Sequence, residues 1–360
     1  MKWLRGRLPV ALLAVFGTIL GLALLEAGAR VGAVREERRQ GRLDRDLARL
    51  KEPSPGSTVT LGQIIRRSDR PRIVYELRPR LDVRFAGGHL TTSDAGFRGR
   101  DVLSPKPPGE FRIVGVGDSY MFGQGVSDEE TYLARLSELS KDAVRGRSVE
   151  TVNLAVPGFN TVMEVDLLRH RIAPLEPDLI LIEIVGNDLD LPNFVWNAVD
   201  PWTLRRSFLI DFVRDRVNTG QGRRAPVAGL SEAPRAGEGA AEPFARDAAE
   251  VPPQYASMVG LKAFEGAIAE LAALGRERHV PVLALTHGVW FEEAMLKALA
   301  DNHIPVLVLR SALRQRARAL GAPDYAQSPL ALSPTDLHPS ALGHQVIAAE
   351  LASWLRTQLR

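Results

Sequence analysis

The sequence contains no cysteine among its 360 residues. This absence excludes disulfide bonds, thiolate nucleophiles and zinc sites built from cysteine. The seven histidines show no spacing typical of a metal site, and no segment repeats along the chain. We therefore expect neither a metal nor a cofactor.

A strongly basic body is also missing. The formal net charge is +3, and residues 1–52 hold eleven basic and six acidic residues, a net of +5, which leaves −2 for the rest of the chain. Nucleic-acid binding needs a clustered basic face. We therefore expect no nucleic-acid partner.

Charge is absent from residues 8–25, an apolar run near the N-terminus. At about 1.5 Å per helical residue, this run is long enough, or nearly so, to cross a bilayer. It predicts an N-terminal tail and transmembrane anchor over residues 1–29. The alternative is a signal peptide cleaved at Ala27-Gly28-Ala29 to release a secreted protein, although the apolar core of signal peptides usually runs about 7–15 residues.

The charges that flank the apolar run do not fix its orientation. Lys and Arg are as frequent after it as before it, so the positive-inside count is undecided. Long domains cross membranes largely regardless of charge. We expect the remaining chain to be extracytoplasmic, in the periplasm.

Two further segments precede the main domain. Residues 30–56 carry dense alternating charge, with Leu43, Leu47 and Leu50 at helical spacing, which predicts a solvated stalk helix. Residues 57–110 read as an extended lead-in segment. Within it, the pair Gly87-Gly88 between two short alternating runs predicts a hairpin turn.

Residues 111–360 alternate between apolar runs and helical stretches. The runs fall at 113–116, 149–155, 179–185, 280–285 and 305–309, and the helical stretches near 130–139, 162–172, 256–276 and 341–355. Continuous apolar strands separated by helices are typical of a parallel sheet covered on both faces. The pattern predicts an α/β fold, a three-layer doubly wound (flavodoxin-like) sheet of about five parallel strands.

One interval, residues 192–255, interrupts this alternation and reads as an insertion. Its first part is rich in aromatic residues, whereas residues 219–253 are rich in Gly, Ala, Pro, Glu and Arg. Such a composition buries too little apolar surface to order itself, so we predict disorder over 219–253. The insertion is either a lid or a surface excursion with no catalytic role.

A candidate nucleophile follows the first predicted strand of the main domain. Asp118 and Ser119 come directly after the apolar run that ends at Val116. The carboxyl ends of strands in an open parallel sheet are where ligands bind. A serine that merely caps the next helix is the alternative.

Two competing motifs fail at this position. Gly115-x-Gly117 begins like a dinucleotide fingerprint, but Tyr120 stands where the third glycine belongs. The nucleophile elbow Gly-x-Ser-x-Gly fails because Met121 replaces its last glycine.

A candidate acid and base lie near the other end of the chain, at Asp336 and His338. In an extended segment, residues two apart point to the same side, so the carboxylate could orient the imidazole as in a catalytic triad. Pro339 favours an extended conformation at His338 and suits the first turn of a helix. We expect His344 to be a helix residue rather than the base.

Together these motifs resemble the conserved blocks of SGNH (GDSL-like) hydrolases, in the family's order over residues 111–357. The blocks are Gly117-Asp118-Ser119, residues 153–158 (NLAVPG), Gly186-Asn187-Asp188 and residues 338–344 (HPSALGH). Residues 93–99 (SDAGFRG) and the apolar N-terminus resemble the membrane-anchored bacterial members.

The resemblance implies a role for each matching residue. Ser119 would be the nucleophile and His338 the general base. The backbone N–H groups of Ser119 and Gly158, with the side-chain amide of Asn187, would form the oxyanion hole. Losing one such donor typically costs about 2.7–4 kcal/mol of barrier.

The sequence departs from the family pattern at two places. The family usually has its acid three residues before the histidine, where this chain has Thr335, so Asp336 is the preferred acid and Asp324 a distant second. The family commonly has a residue between glycine and asparagine in its third block, whereas Gly186 here abuts Asn187.

Three functions are compatible with the sequence. The first is a membrane-tethered ester hydrolase that deacylates an envelope or extracellular ester, either a small molecule or a saccharide. The second is an O-acyltransferase that uses the same site on a polysaccharide. The third is a non-catalytic, membrane-anchored binding or assembly factor. A flavodoxin-like cofactor protein would share the sheet but explain none of the polar residues at the strand ends.

Overall fold

A computed structural model describes residues 8–50, 54–140, 144, 146–196, 201–202, 207–210, 212–213, 230–232, 251, 253–287 and 293–358. The chain forms two compact units. One comprises Met1–Lys51 with Trp196–Ser231, and the other comprises Glu52–Val195 with Glu232–Arg360. Most of 219–253, where we predict disorder, lies outside the described residues.

The first unit contains one long helix, α1 (Leu8–Leu50). Its stretch Leu12–Arg35 is long and apolar enough to cross a membrane, and none of that stretch is buried. By length and composition, the same stretch could also serve as a signal sequence. The helix runs unbroken through the predicted anchor and most of the predicted stalk. Residues 208–210 and 212–213 of the insertion are also helical.

The lead-in segment of the second unit folds into short strands. They are β1 (Thr58–Val59), β2 (Ile65–Arg67), β3 (Tyr75–Leu77), β4 (Asp82–Phe85) and β5 (Gly88–Thr91), with the single-turn helix α2 (Leu61–Ile64) before β2.

A hairpin joins β4 to β5, but its turn is Ala86-Gly87 rather than Gly87-Gly88. Both turn residues have positive φ, 49° and 97°, as the tight two-residue turn of a twisted hairpin requires. Gly88 is instead a strand residue, and a Cβ there would lie 2.1 Å from the carbonyl oxygen of Val126.

The core of the second unit is a sheet of five parallel strands. The strands are β6 (Glu110–Val116), β7 (Ser148–Asn153), β8 (Leu179–Glu183), β11 (Val282–Thr286) and β12 (Val306–Val308). Their order across the sheet is β12-β11-β8-β6-β7, and all four pairings are parallel. This is the doubly wound, flavodoxin-like order, so the predicted fold class is confirmed. Every residue of β6 and β8 is buried, because helices cover both faces.

Helices flank this sheet in two layers. They are α3 (Ser119–Phe122), α4 (Tyr132–Leu139), α5 (Thr161–Leu175), α6 (Leu261–Arg278), α7 (Glu293–Asp301), α8 (Arg310–Ala319) and α9 (Ala341–Gln358). The chain moves from β6 to β7 in one direction across the sheet and then through β8, β11 and β12 in the other. Because crossovers are right-handed, α5, α6 and α7 therefore lie on the face opposite α4. In agreement, α5 packs on α6, and α4 packs on α9.

Four shorter strands complete the described part. Strands β9 (Phe194–Trp196) and β10 (Leu230–Glu232) stand at the two boundaries between the units. Strands β13 (Ala331–Ser333) and β14 (Asp336–Pro339) form an antiparallel pair just before α9.

Candidate active site

Ser119 follows the carboxyl end of β6, an interior strand of the sheet, as the first residue of the four-residue helix α3. Asp118 caps this helix, because its carboxylate accepts a hydrogen bond from the backbone N–H of Tyr120 at 2.9 Å. A Cβ at Gly117 would lie 2.9 Å from the Cβ of Met121 and 3.1 Å from that of Glu183, so the tight strand-to-helix turn needs glycine. At the start of a helix, the backbone N–H of Ser119 has no acceptor within the helix.

The structure brings Asp336, His338 and Ser119 together in one chain of contacts. The Nε2 of His338 lies 2.8 Å from the Oγ of Ser119, although 219 positions separate the two residues. The Nδ1 of His338 lies 2.5 Å from the Oδ1 of Asp336. The same oxygen accepts the backbone N–H of His338 at 3.2 Å. With the proton on Nδ1, the imidazole offers Nε2 as an acceptor for the serine hydroxyl.

The two-residue spacing of acid and base follows from the strand that carries them. Asp336 and His338 are alternate residues of β14, so both side chains stand on the same side. Thr335, which occupies the family's usual acid position, hydrogen-bonds instead to Ser333. The second candidate acid, Asp324, accepts hydrogen bonds from Gln327.

His344 lies inside the core and not in this chain of contacts. Its Nδ1 accepts the backbone N–H of Tyr132 at 3.2 Å, and the two rings lie 5.5 Å apart. Burial lowers the pKa of His344 well below its usual range. It therefore stays neutral and ties α9 to α4, which agrees with the expectation that it is a helix residue.

Gly158 and Asn187 lie beside each other at the ends of β7 and β8. Gly158 has φ +75°, a conformation that favours glycine. The amide of Asn187, which is exposed on a 3₁₀ turn, donates to the carbonyl of Phe159 at a long 3.4 Å. Asn187 thus lies next to the peptide that joins Phe159 to Asn160, one residue beyond Gly158.

A second asparagine, Asn193, also contacts Gly158, and no motif in the sequence predicts this contact. Its backbone N–H donates to the carbonyl of Gly158 at 3.1 Å. A Cβ on Gly158 would lie 2.3 Å from the Cγ and Nδ2 of Asn193. Gly158 is therefore fixed by the space that Asn193 fills as well as by its own backbone conformation.

Two buried side chains hold the far end of α3. The guanidinium of Arg98 donates to the carbonyls of Phe122, Gly123 and Val126 at 2.6, 2.8 and 2.7 Å and pairs with Asp128 at 2.7 Å. The Nδ2 of Asn153 donates to the carbonyl of Met121 at 3.0 Å. Arg98 belongs to the motif at residues 93–99, so that motif was the available signal.

Tyr120 lies between two imidazoles, a position that sequence reasoning missed. Its ring centroid is 4.8 Å from that of His338 and 4.9 Å from that of His287. His287 is itself buried and paired with the carboxylate of Glu183. Burial raises the pKa of Tyr120 above its usual value, so the phenol stays neutral.

Two buried carboxyls lie outside the chain of contacts. Glu164 on α5 and Asp188 beside Asn187 are each 1% exposed. Burial raises the pKa of both well above the usual range. Repulsion from Asp188 adds to the effect at Glu164, and repulsion from Asp118 adds to it at Asp188. Among the described residues, neither oxygen of Glu164 has a hydrogen-bond partner. The described residues also contain no cluster of three or more side chains suited to a metal ion.

Comparison with known proteins gives one family match. The model of the GDSL-like lipase/acylhydrolase family matches residues 116–346. No curated protein matches the chain.

The chain is also similar to solved structures, of which three are given. An α/β hydrolase enzyme from the metagenome of Lake Arreo, Spain, is 15% identical, with 69% of this chain and 96% of the other covered and a TM-score of 0.40. A lipase/acylhydrolase from Enterococcus faecalis is 14% identical over 69% and 97%, with a TM-score of 0.39. An acetylxylan esterase from Geobacillus stearothermophilus is 13% identical over 68% and 94%, with a TM-score of 0.38.

Proposed function

The chain belongs to the GDSL-like lipase/acylhydrolase family, and we propose that it is an ester hydrolase that works through an acyl-enzyme on Ser119. The observation that carries the proposal is the contact of 2.8 Å between the Oγ of Ser119 and the Nε2 of His338, with Asp336 on the other imidazole nitrogen. Nucleophile, base and orienting acid in this geometry are what acyl transfer to serine requires.

Each proton and bond in the proposed reaction has a place. His338 accepts the hydroxyl proton at Nε2 while the Oγ of Ser119 attacks the ester carbonyl. The tetrahedral adduct collapses, and His338 returns the proton to the departing alcohol. A water molecule then attacks the acyl-enzyme while His338 accepts its proton. His338 returns that proton to the Oγ of Ser119, which releases the acid and restores the serine. Throughout, Asp336 holds the imidazole and stabilises its protonated form.

The oxyanion of the adduct needs donors that are in place before charge develops. We assign this role to the backbone N–H groups of Ser119 and Gly158 and to the side-chain amide of Asn187. The position of Ser119 at the start of α3 and the proximity of Asn187 to Gly158 support this assignment.

An acyltransferase would use the same acyl-enzyme, with a sugar hydroxyl in place of water. The arrangement of Ser119, His338 and Asp336 serves both reactions equally. An activated acetate ester supplied with and without a saccharide acceptor separates them. Free acetate as the main product in both conditions supports the hydrolase, and acetylated saccharide formed faster than acetate supports the transferase.

We further propose that residues 8–25 anchor the enzyme in a membrane with its hydrolase domain in the periplasm. The length and apolar composition of Leu12–Arg35 on α1, no part of which is buried, support the anchor. Its substrate would then be an ester of the envelope or of the extracellular space.

The test of the hydrolase is labelling of the full chain, purified in detergent, with a fluorophosphonate probe that reacts with activated serines. We expect labelling of the wild type, none of Ser119→Ala, and labelling of His338→Ala slower by a factor on the order of 10⁴. Ser353→Ala is the matched control, because Ser353 is exposed on α9. Circular dichroism checks that each variant is folded.

A folded wild-type chain that takes up no probe would contradict the proposal. It would direct attention to the third function, a non-catalytic binding or assembly factor that retains the fold.

A further inference from the structure

One stripe of α1 differs from the rest of its apolar surface. Between Leu12 and Leu25 every side chain except Gly21 is exposed, whereas a row further along the helix is half-buried. The row consists of Glu26, Ala29, Arg30, Ala33 and Val34, spaced three and four apart as one face of a helix requires. Residues 201–213 of the insertion, part of the same compact unit, contact two residues of this row.

Glu26 binds the start of the short helical stretch at 208–213. Its carboxylate accepts the hydroxyl of Ser207 at 2.7 Å and the backbone N–H groups of Phe208 and Leu209 at 3.0 and 2.9 Å. These N–H groups come at the beginning of a helix, where they have no acceptor in the helix itself.

Arg30, one turn further along α1, binds the same segment. Its guanidinium donates to the carbonyl of Pro201 at 2.6 Å and lies over the ring of Phe208, 4.9 Å from the centroid. It also pairs with Glu26 at 2.9 Å. The two charges therefore neutralise each other, and each also makes hydrogen bonds to the segment.

Several other side chains of the segment are apolar and exposed. Phe208 is buried, but Trp202 is 86% exposed, and Ile210, Phe212 and Val213 are each more than half exposed. The segment is held against α1 at Glu26, directly after Leu25, the last residue of the charge-free run.

We propose that residues 201–202, 207–210 and 212–213 form a lipid-facing collar, which lies against α1 in the headgroup region of the bilayer. The proposal rests on the membrane anchor proposed above. Tryptophan and phenylalanine concentrate at this depth, because their rings are apolar while the surroundings are still partly hydrated. Charged residues near the hydrocarbon pair with each other and with backbone groups, as Glu26 and Arg30 do.

The collar also bears on whether α1 is retained. Cleavage after Ala29 would remove Glu26 and leave the N–H groups of Phe208 and Leu209 without their carboxylate. The contacts between the collar and α1 therefore favour a permanent anchor over a cleaved signal peptide.

The absence of native cysteine allows a site-specific test in the full chain. Single cysteines introduced by Trp202→Cys and by Phe212→Cys are labelled with an environment-sensitive fluorophore, and the protein is reconstituted into phospholipid vesicles. Arg100→Cys provides the aqueous reference, because the side chain of Arg100, in the other unit, is 88% exposed. We expect blue-shifted emission at 202 and 212, with stronger quenching by nitroxide placed near the headgroup than by nitroxide deep in the acyl chain.

A companion variant tests the role of Glu26. In the background of Trp202→Cys, Glu26→Ala removes the acceptor of the three hydrogen bonds from Ser207, Phe208 and Leu209. We expect the emission to shift back towards that of the reference. The intact mass of the vesicle-bound wild type should include residues 1–29.

Each other outcome overturns a defined part of the proposal. Chains that float with the vesicles while the labels at 202 and 212 report water would overturn the collar and leave the anchor standing. Blue-shifted labels that no lipid-borne nitroxide quenches would show a protein partner and also overturn the collar. Chains that do not associate with vesicles, or that lack residues 1–29, would overturn the anchor as well.

Discussion

At the scale of single residues, two asparagines lie near Gly158 in the part of the site that we propose binds the oxyanion. They make different contacts there. Asn187 donates its amide to the adjacent peptide carbonyl, whereas Asn193 fills the space that a side chain at Gly158 would need. The first arrangement leaves an amide that is only weakly engaged and able to turn to a substrate, and the second is a packing contact.

Substituting each asparagine should separate these roles. We expect Asn187→Ala to lower kcat by about 10²–10³ with little change in KM, because the amide acts only once the oxyanion forms. Asn193→Ala should lower kcat less and lower the free energy of unfolding. Steady-state hydrolysis of a nitrophenyl ester and urea unfolding measure both effects. A larger loss of kcat in Asn193→Ala would transfer the donor role to Asn193.

Some of these residues could be predicted from the sequence because their signals are local. Ser119 follows an apolar run, and Asp336 and His338 share one side of a strand by simple alternation. Arg98 lies in the motif at residues 93–99, but that motif does not show what Arg98 contacts, and Tyr120 and Asn193 carry no such signal. Each of the three contacts residues that only the folded chain brings near. Tyr120 was visible only as a residue that spoiled a glycine motif.

At the scale of elements, α3 is too short to be stable alone. A helix of four residues makes too few hydrogen bonds to offset the free-energy cost of nucleation, so the four residues that begin with Ser119 depend on their neighbours. Arg98 supplies three of the hydrogen bonds at their C-terminal side, and its side chain is 3% exposed. The lead-in segment that carries Arg98 is therefore part of the nucleophile's support.

Replacing Arg98 tests this support. Arg98→Met keeps much of the length but removes the donors and leaves the carboxylate of Asp128 without its charged partner, although Thr91 still donates to it. We expect a loss of about 3–5 kcal/mol in the free energy of unfolding, together with slower fluorophosphonate labelling of the fraction that stays folded. Arg100→Met, two residues away and exposed, should change stability by no more than about 0.5 kcal/mol. Equal effects of the two substitutions would refute the supporting role.

Element boundaries were harder to predict than element types. The apolar run at 149–155 continues past the end of β7 at Asn153, because Leu154 to Val156 are buried in the loop that leads to Gly158. Burial produces the apolar pattern, and burial extends beyond the hydrogen-bonded strand.

At the scale of the whole molecule, the buried carboxyls make stability depend on pH. Burial raises the folded-state pKa of Glu164 above its unfolded value, so the folded chain binds this proton more tightly. The contribution to stability is fully present below the unfolded pKa, near 4.3, and is lost as pH rises through the folded pKa.

Glu164→Gln should therefore stabilise the protein at alkaline pH. We expect the free energy of unfolding at pH 8 to rise by on the order of 1 kcal/mol, because a neutral amide replaces a carboxyl that resists ionisation, and the gain should shrink towards pH 4. Glu138→Gln, exposed on α4, is the control and should show no such trend. Urea unfolding of the full chain at several pH values measures the effect. A gain that is larger at pH 4 than at pH 8 would contradict the assignment.

The placement of acid and base on one short strand has a consequence for the order in which the enzyme becomes competent. Asp336 and His338 orient each other within β14, so a single long-range approach, that of β14 to Ser119, assembles all three groups. During synthesis the nucleophile leaves the ribosome more than two hundred residues before its base. In the proposed mechanism, Ser119 therefore has no base while the chain is being elongated. Hydrolytic activity begins only when β14 packs beside α3.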